Sequence, residues 1–166
     1  MFLKKVISGG QSGSDVAALK AAKDIGIPTG GFIPKGFKTL DGPRTEYAML
    51  YNLTEHYSSS YVPRTYQNVR DADGTIRIAH NFNSSGEICT LKAINQYKKP
   101  YFDIIVKNTQ SFTTPEEMSP KKAADWIKNN NIKILNVAGN SEKTSPGIEF
   151  FAHKYLVSLF KELANS

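Results

Sequence analysis

Ile7-Ser8-Gly9-Gly10-Gln11-Ser12-Gly13-Ser14-Asp15 joins a short apolar strand to a helix. Apolar residues recur at helical spacing over residues 14–25, so the helix begins directly after the turn. The three glycines lack Cβ, so the backbone can take positive φ and a ligand can approach closely. Such a turn points unpaired N–H groups and the positive end of the helix dipole outward. The stretch predicts a site for an anionic group such as a phosphate, and it fits equally well a tight strand–helix connection without a ligand.

Strands and helices alternate along the chain, which predicts a parallel sheet with helices on both faces. We therefore expect one α/β domain over residues 1–166. The predicted strands span residues 4–8, 29–33, 75–79, 101–106 and 132–137, and the predicted helices span 14–25, 63–70, 86–97, 115–130 with a break at Pro120, and a last one from Pro146-Gly147 to Leu163. Residues 108–114 are a predicted loop. Residues 37–62, with a short helix over 46–51, form a long connection that fits a lid, a subunit contact or both.

Three predicted strands end in small polar turns that lead into helices. The first turn spans residues 9–15, the second 83–86 and the third 138–141. Because the carboxyl ends of parallel strands meet at one edge of a sheet, we expect the three turns to lie together. Backbone amides and hydroxyls suit phosphate oxygens, so the predicted ligand-binding residues in and beside these turns are Gly9, Gly10, Gln11, Ser12, Gly13, Asp15, Ser84, Ser85, Gly86, Thr90, Ala138 and Gly139. Loops rich in Gly and Ser are also routine in α/β proteins, so the turns alone leave a purely structural role open.

Charged residues near these turns need separate interpretation. Lys35 and Arg44 flank the long segment and are the predicted clamp for the anion. Arg64 and Arg70 are weaker candidates, because a lone arginine is more often a surface charge. Asp15 lies in the first turn of its helix, where a carboxylate is stabilised by the helix dipole. Alternatively it binds an amine or a cation of the ligand, since it would repel a bare phosphate.

The composition favours an anionic partner and argues against several classes of protein. The formal net charge is +6, but the lysines are dispersed and do not alternate with aromatic residues, which argues against nucleic acid. No run of 18 apolar residues occurs, so we expect no membrane span. Cys89 is the only cysteine, which is typical of a reducing cytoplasm, and it is expected to be a buried thiol rather than a nucleophile. The three histidines lack the spacing of metal ligands, so no metal site is expected.

Two common phosphate-binding motifs are absent. The first turn reads Gly9-Gly10-x-x-Gly13 and not G-x-G-x-x-G, and the next strand ends without the acidic residue that would bind a ribose. The run from Gly31 to Gly36 nearly matches a Walker A loop, but the inserted Phe37 separates Gly36 from the lysine. These patterns argue against a dinucleotide site and against ATPase or kinase chemistry.

Several longer stretches occur together in the order of a known family and extend over nearly the whole chain. They are Ile7 to Asp15, Gly26 to Gly36, Asp41-Gly42-Pro43, Arg64-Thr65 with Asn68 to Thr75, and Leu135 to Gly139 with Pro146-Gly147-Ile148. With them the chain resembles the molybdenum cofactor carrier protein family, a Rossmann-like family related to YpsA and the lysine-decarboxylase-like nucleotide-binding proteins. The resemblance implies a Rossmann-like fold, a cytoplasmic homotetramer, and binding, storage and protection of the molybdenum cofactor, a phosphorylated molybdopterin, without catalysis.

The chain departs from this family in and beside its three turns. Ser12 stands where Thr is usual, Val16 stands where an Arg follows the aspartate, Ser84-Ser85-Gly86 replaces Ser/Thr-Gly-Gly, and Asn140-Ser141 replaces Pro-Arg. A nucleotide-processing enzyme therefore stays as an alternative. The related cytokinin-activating phosphoribohydrolases carry Pro-Gly-Gly-x-Gly-Thr-x-x-Glu, most of which is missing here, although Glu87 lies beside the second turn as a candidate acid or base. A nucleotide sensor that binds without reaction is the third possibility.

Overall fold

A parallel sheet of five strands lies at the centre of the protein in the computed structural model, which describes residues 1–107 and 113–166. In chain order the strands are β1 (Lys5–Ile7), β2 (Thr29–Gly30), β3 (Phe32–Ile33), β4 (Lys38–Thr39), β5 (Gly42–Pro43), β6 (Thr54–Glu55), β7 (Gly74–Ala79), β8 (Tyr101–Ile105) and β9 (Ile134–Gly139). The central sheet has the order β2-β1-β9-β7-β8, and all neighbours pair in parallel. The last strand of the chain therefore lies in the middle of the sheet.

Helices cover both faces of this sheet. They are α1 (Ser14–Ile25), α2 (Tyr47–Tyr51), α3 (Tyr61–Asp71), α4 (Ser85–Tyr97), α5 (Pro120–Asn129) and α6 (Ile148–Ala164), and a 3-10 helix spans Glu116–Met118. On one face α6 packs against α1 and α5, and Ile76 and Ile78 of β7 contribute to their shared core. On the other face α3 packs against α4. The predicted α/β fold, with a mainly parallel sheet and helices on both faces, is confirmed.

The structure corrects the predicted end of the last strand. The prediction placed this strand over residues 132–137, but β9 runs from Ile134 to Gly139, so Ala138 and Gly139 belong to the strand and not to the third turn. Gly139 has a φ of 149°, and a Cβ at this position would overlap the carbonyl oxygen of Ile78. The glycine therefore permits a close approach of β9 to β7, which in sequence looks the same as a glycine in a turn.

Other predicted boundaries hold or shift by a little. The helix predicted over 14–25 is confirmed as α1. The strand predicted over 29–33 is interrupted at Gly31, so that β2 pairs with β1 while β3 pairs with β6. The break predicted at Pro120 separates the 3-10 helix from α5, in which the hydroxyl of Ser119 caps the amide of Lys122. The loop predicted over 108–114 lies mostly outside the described residues.

The long connection over residues 37–62 is more regular than predicted. β4 and β5 form an antiparallel hairpin, and the short helix predicted over 46–51 is α2. Tyr51 and Leu53 pack with Val16, Leu19 and Ile33 in a small apolar cluster. This packing anchors the segment on α1 and β3, and its role as a lid or subunit contact stays a prediction.

A buried ionic network fixes the beginning of α4 on the second face of the sheet. The guanidinium of Arg77 donates to both carboxylate oxygens of Asp103, at 2.7 and 2.6 Å. Its Nη1 donates to the carbonyl oxygen of Glu87 at 3.0 Å. Because Glu87 lies in the first turn of α4, the network ties that helix N-terminus to β7 and β8.

Candidate ligand-binding site

A cavity of about 390 Å³ opens at the carboxyl end of the sheet. It is bounded by the ends of β1 and β9, the beginnings of α1 and α4, and one side of α3. The chain turns from β1 toward one edge of the sheet and from β7 toward the other, and open α/β sheets bind ligands where the strand order diverges in this way. The volume suits an organic ligand. The predicted residues that line the cavity are Gly9, Gln11, Asp15, Ser84, Ser85, Gly86, Thr90, Ala138 and Gly139.

The first turn uses most of its own amides internally. The amide of Gln11 donates to Oδ2 of Asp15 at 3.2 Å, and the amide of Ser12 donates to the side chain of Gln11 at 3.0 Å. The amide of Gly10 donates to the hydroxyl of Ser8 at 3.3 Å. The anion that this turn holds is thus the carboxylate of Asp15, and a ligand phosphate would have to displace it.

The helix that follows the third turn is also capped from within. Glu142 accepts hydrogen bonds from the amides of Gly147 and Glu149, the latter at 3.1 Å. A carboxylate at this position satisfies the amide that precedes α6 and one amide of its first turn, and it compensates the helix dipole. The beginning of α6 therefore offers no free anion site to the cavity, although Ser141 and Thr144 of the preceding loop line it.

Of the helices that follow the three turns, α4 is the one whose N-terminal amides stay available to a ligand. The spacing of Ser84 and Glu87 is that of a capping box, but the hydroxyl of Ser84 donates to Oε2 of Glu87 at 2.8 Å and caps no backbone amide. In the described part of the chain, the amides of Ser85, Gly86 and Glu87 have no acceptor. Ser85 and Gly86 line the cavity, so this N-terminus can hold an anion there.

Arg64 supplies a buried cation to the same cavity. Its side chain is only 8% exposed. Nε donates to the carbonyl of Tyr61 at 3.3 Å, Nη1 donates to the carbonyl of Gly9, and Nη1 lies 3.7 Å from Oδ2 of Asp15. Among the described residues Nη2 has no hydrogen-bond partner. Since the side chain forms part of the cavity wall, this atom is available to a ligand. The sequence named Arg64 as a weaker candidate, and its place in the Arg64-Thr65 stretch was the signal that could have raised it.

The two predicted clamp residues do not line the cavity. Arg44 is half-exposed and lies 3.9 Å from Glu46, and Lys35 is exposed near the tip of the 34–37 turn. Three further predicted residues, Gly10, Ser12 and Gly13, support the first turn without facing the cavity. The structure therefore brings the three turns together, but it places a different cation beside them.

Two carboxylates face the cavity together with Arg64. Burial raises the pKa of Asp15 to about 6, while the charge of Arg64 and the amides of Gln11 and Gly9 act in the opposite direction. Burial also raises the pKa of Glu87, against hydrogen bonds from Ser84 and Asn140 that lower it. The cavity thus combines unpaired amides and a guanidinium with acceptor groups, a pattern that suits a ligand with an anionic end and hydrogen-bond donors elsewhere.

Other reactive groups contribute less. Cys89 lines the cavity and is half-buried, and burial raises the pKa of its thiol, which disfavours the nucleophilic thiolate. Within residues 1–107 and 113–166 no cluster of His, Cys, Asp or Glu side chains could hold a metal ion. The helices in those ranges are all too short or too polar to cross a membrane.

Comparison with known proteins agrees with this architecture. Residues 6–160 match the Circularly permutated YpsA SLOG family. The chain is also similar to the crystal structure of the "Putative molybdenum carrier protein" from Syntrophus aciditrophicus, with 34% sequence identity, a TM-score of 0.78, and coverage of 97% of this chain and 94% of that one. No curated protein matches the sequence. The match over nearly all of its length shows that the chain belongs to the circularly permuted YpsA branch of the SLOG family.

Proposed function

We propose that the protein binds and carries the molybdenum cofactor, a phosphorylated pterin, in the cavity between α1, α3 and α4. The observation that carries the proposal is the meeting of the unpaired α4 amides and the buried Arg64 at one cavity wall. The similarity to a protein named as a molybdenum carrier supports a molybdenum-related ligand. A homotetramer in the cytoplasm, as the family resemblance implies, belongs to the same proposal.

The two ends of such a ligand fit different parts of the cavity. The amides of Ser85 and Gly86 and the free Nη2 of Arg64 suit the terminal phosphate, since charge-assisted hydrogen bonds to anions are the stronger kind. The carboxylates of Asp15 and Glu87 suit N–H donors of the pterin. The binding energy comes from these contacts and from burial of the ring, and no bond is made or broken.

Titration of the purified protein with molybdenum cofactor tests this proposal. We expect Arg64→Met to weaken binding by about tenfold or more, because it removes a charged donor from the phosphate. Arg44→Met is the matched control, since it makes the same substitution at a half-exposed arginine outside the cavity, and it should leave the affinity unchanged. A lack of cofactor uptake by the wild-type protein, or equal affinities of both variants, contradicts the proposal.

A nucleotide-processing enzyme is the second candidate, favoured by one observation. Glu87 is a buried carboxylate with a raised pKa at the wall of a cavity that also holds Arg64, and a raised pKa is what a general acid at neutral pH requires. Release of a base from nucleoside monophosphates, lost in Glu87→Gln, would establish the enzyme. Nucleotide binding without turnover would instead favour a sensor, and a thermal-shift panel of nucleotides, pterins and oxyanions separates the three.

A further inference from the structure

Asn140 has a buried side chain that joins the second and third turns. Its Oδ1 accepts from the amides of His80 and Asn81, both at 2.9 Å, and from the hydroxyl of Ser145. Its Nδ2 donates to the carbonyl of Asn81 at 2.8 Å and to Oε2 of Glu87 at 3.0 Å. Every hydrogen-bonding atom of this side chain is therefore used, and its orientation is fixed, because a reversed amide would place donors against donors.

The two carboxylate oxygens of Glu87 are consequently not equivalent. Oε2 accepts from Nδ2 of Asn140 and from the hydroxyl of Ser84. Oε1 has no partner in the described part of the chain, and it is not sealed away from solvent, although the residue as a whole is 3% exposed. Glu87 lines the cavity, so Oε1 is the oxygen that a ligand can reach.

We propose that Asn140 positions Glu87 so that Oε1 acts as a hydrogen-bond acceptor beside the anion site, and that this atom selects phosphate monoesters with an N–H or ammonium donor close to the phosphate. The inference rests on the proposed function, because it requires a phosphate at the N-terminus of α4. It assigns a role to Asn140, at which this chain departs from the family pattern. A bare oxyanion is a poor ligand for such a site, since Asp15 and Glu87 face it with Arg64 as their counter-charge.

The fixed orientation of Asn140 makes the effect of Glu87→Gln unusual. The Gln carbonyl must take the place of Oε2, because Nδ2 of Asn140 donates there. The Gln amino group then occupies the place of Oε1, and the cavity-facing atom changes from acceptor to donor. Adding Asn140→Asp reverses this arrangement, because the introduced carboxylate accepts from the Gln amino group and turns the Gln carbonyl toward the cavity. The same substitution loses the bond to the carbonyl of Asn81, so this variant is expected to be less stable.

The selection can be measured by calorimetric or NMR titration of the protein at alkaline pH with two small phosphate monoesters of similar size. 2-Aminoethyl phosphate carries an ammonium donor, whereas ethyl phosphate carries none. We expect the wild-type protein to prefer 2-aminoethyl phosphate by about tenfold, the gain typical of a hydrogen bond to a charged group. Glu87→Gln should abolish the preference, and the double variant Glu87→Gln/Asn140→Asp should restore it.

A second double variant separates hydrogen-bond geometry from charge. Glu87→Met/Asn140→Asp has the same charge as the restored variant but presents no acceptor from position 87 to the cavity, so it should show no preference. Retention of the preference in Glu87→Gln, or equal affinities of the two phosphates for the wild-type protein, overturns the inference and leaves phosphate binding intact. Binding of neither phosphate by the wild-type protein instead refutes the proposed anion site itself. Cooperative thermal unfolding of each variant confirms that it is folded. If a double variant is unfolded, the result for Glu87→Gln alone decides the inference.

Discussion

Gly9→Ala is expected to expel the guanidinium of Arg64 from the cavity wall without changing any charge. An added Cβ would overlap Nη1 of Arg64 and would lie 2.5 Å from its Cζ. Gly9 is not among the glycines with positive φ, so alanine does not strain the backbone there. The arginine side chain is the flexible partner and has to move, which breaks its bond to the carbonyl of Gly9 and weakens its pairing with Asp15.

The size of the effect follows from the hydrogen bond that this movement breaks. A hydrogen bond from a charged group contributes about 1.5–3 kcal/mol to the free energy of unfolding. At about 2–4 °C for each kcal/mol in a protein of this length, the melting temperature should fall by about 3–12 °C. Affinity for 2-aminoethyl phosphate should fall by about tenfold or more, because the free Nη2 moves away with the rest of the guanidinium.

Urea unfolding and ligand titration of the variant test this prediction, and Gly86→Ala is the control for stability. That control makes the same substitution in the same cavity, but nothing lies within 4 Å of the new Cβ and the residue is helical. It should stabilise the protein by about 0.5–1 kcal/mol, since alanine loses less backbone entropy than glycine on folding. The reasoning is refuted if Gly9→Ala unfolds at the same urea concentration as the wild-type protein and binds the phosphate equally well.

Three further predictions concern stability. The pKa of Asp15 is about 6 in the folded protein and near 3.8 in the unfolded chain. The stabilisation from its protonated form is therefore present below about pH 4 and lost as the pH rises through about 6, which changes the free energy of unfolding by about 3 kcal/mol. Urea unfolding at several pH values should show this slope in the wild-type protein and not in Asp15→Asn. Asp103→Asn should cost about 1.5–3 kcal/mol, because it removes the charged partner of two hydrogen bonds from the buried Arg77; a cost below about 1 kcal/mol in urea unfolding would contradict this. Glu142→Ala should cost about 0.5–2 kcal/mol as a lost helix cap while phosphate affinity stays unchanged, and a parallel loss of affinity would show that α6 takes part in binding.

Local patterns in the sequence were enough to predict the layers of the fold. The spacing of apolar residues predicted both ends of α1 correctly, because that helix buries alanines in the main core shared with α6 and packs Val16 and Leu19 in the smaller cluster around Ile33. The end of β9 was predicted wrongly, since Gly139 serves close strand packing and has no local mark that distinguishes it from a turn glycine. Strand ends of this kind are set by neighbouring strands that lie far away in sequence.

The location of the candidate site could be predicted from the sequence, but most of the side chains that shape its hydrogen bonding could not. Parallel strands and Gly/Ser turns located the edge of the sheet where the cavity lies. The sequence did not indicate that Asp15 and Glu142 occupy the amides of two turns, because each carboxylate accepts from amides several residues away along the chain. It also did not place Arg64, which reaches the first turn across 55 positions of sequence. Contacts between residues so far apart in sequence are determined by tertiary packing, which local spacing does not reveal.

The central place of β9 has a consequence for the chain while it is being synthesised. A nascent chain that ends before residue 134 can pair β1 with β2 and β7 with β8, but the strand that unites these two pairs does not yet exist. Each half then presents an open strand edge, the kind of surface through which unfinished proteins associate. The sheet can therefore close only after β9 has been synthesised, and exposure to wrong partners is greatest just before Ile134 emerges from the ribosome.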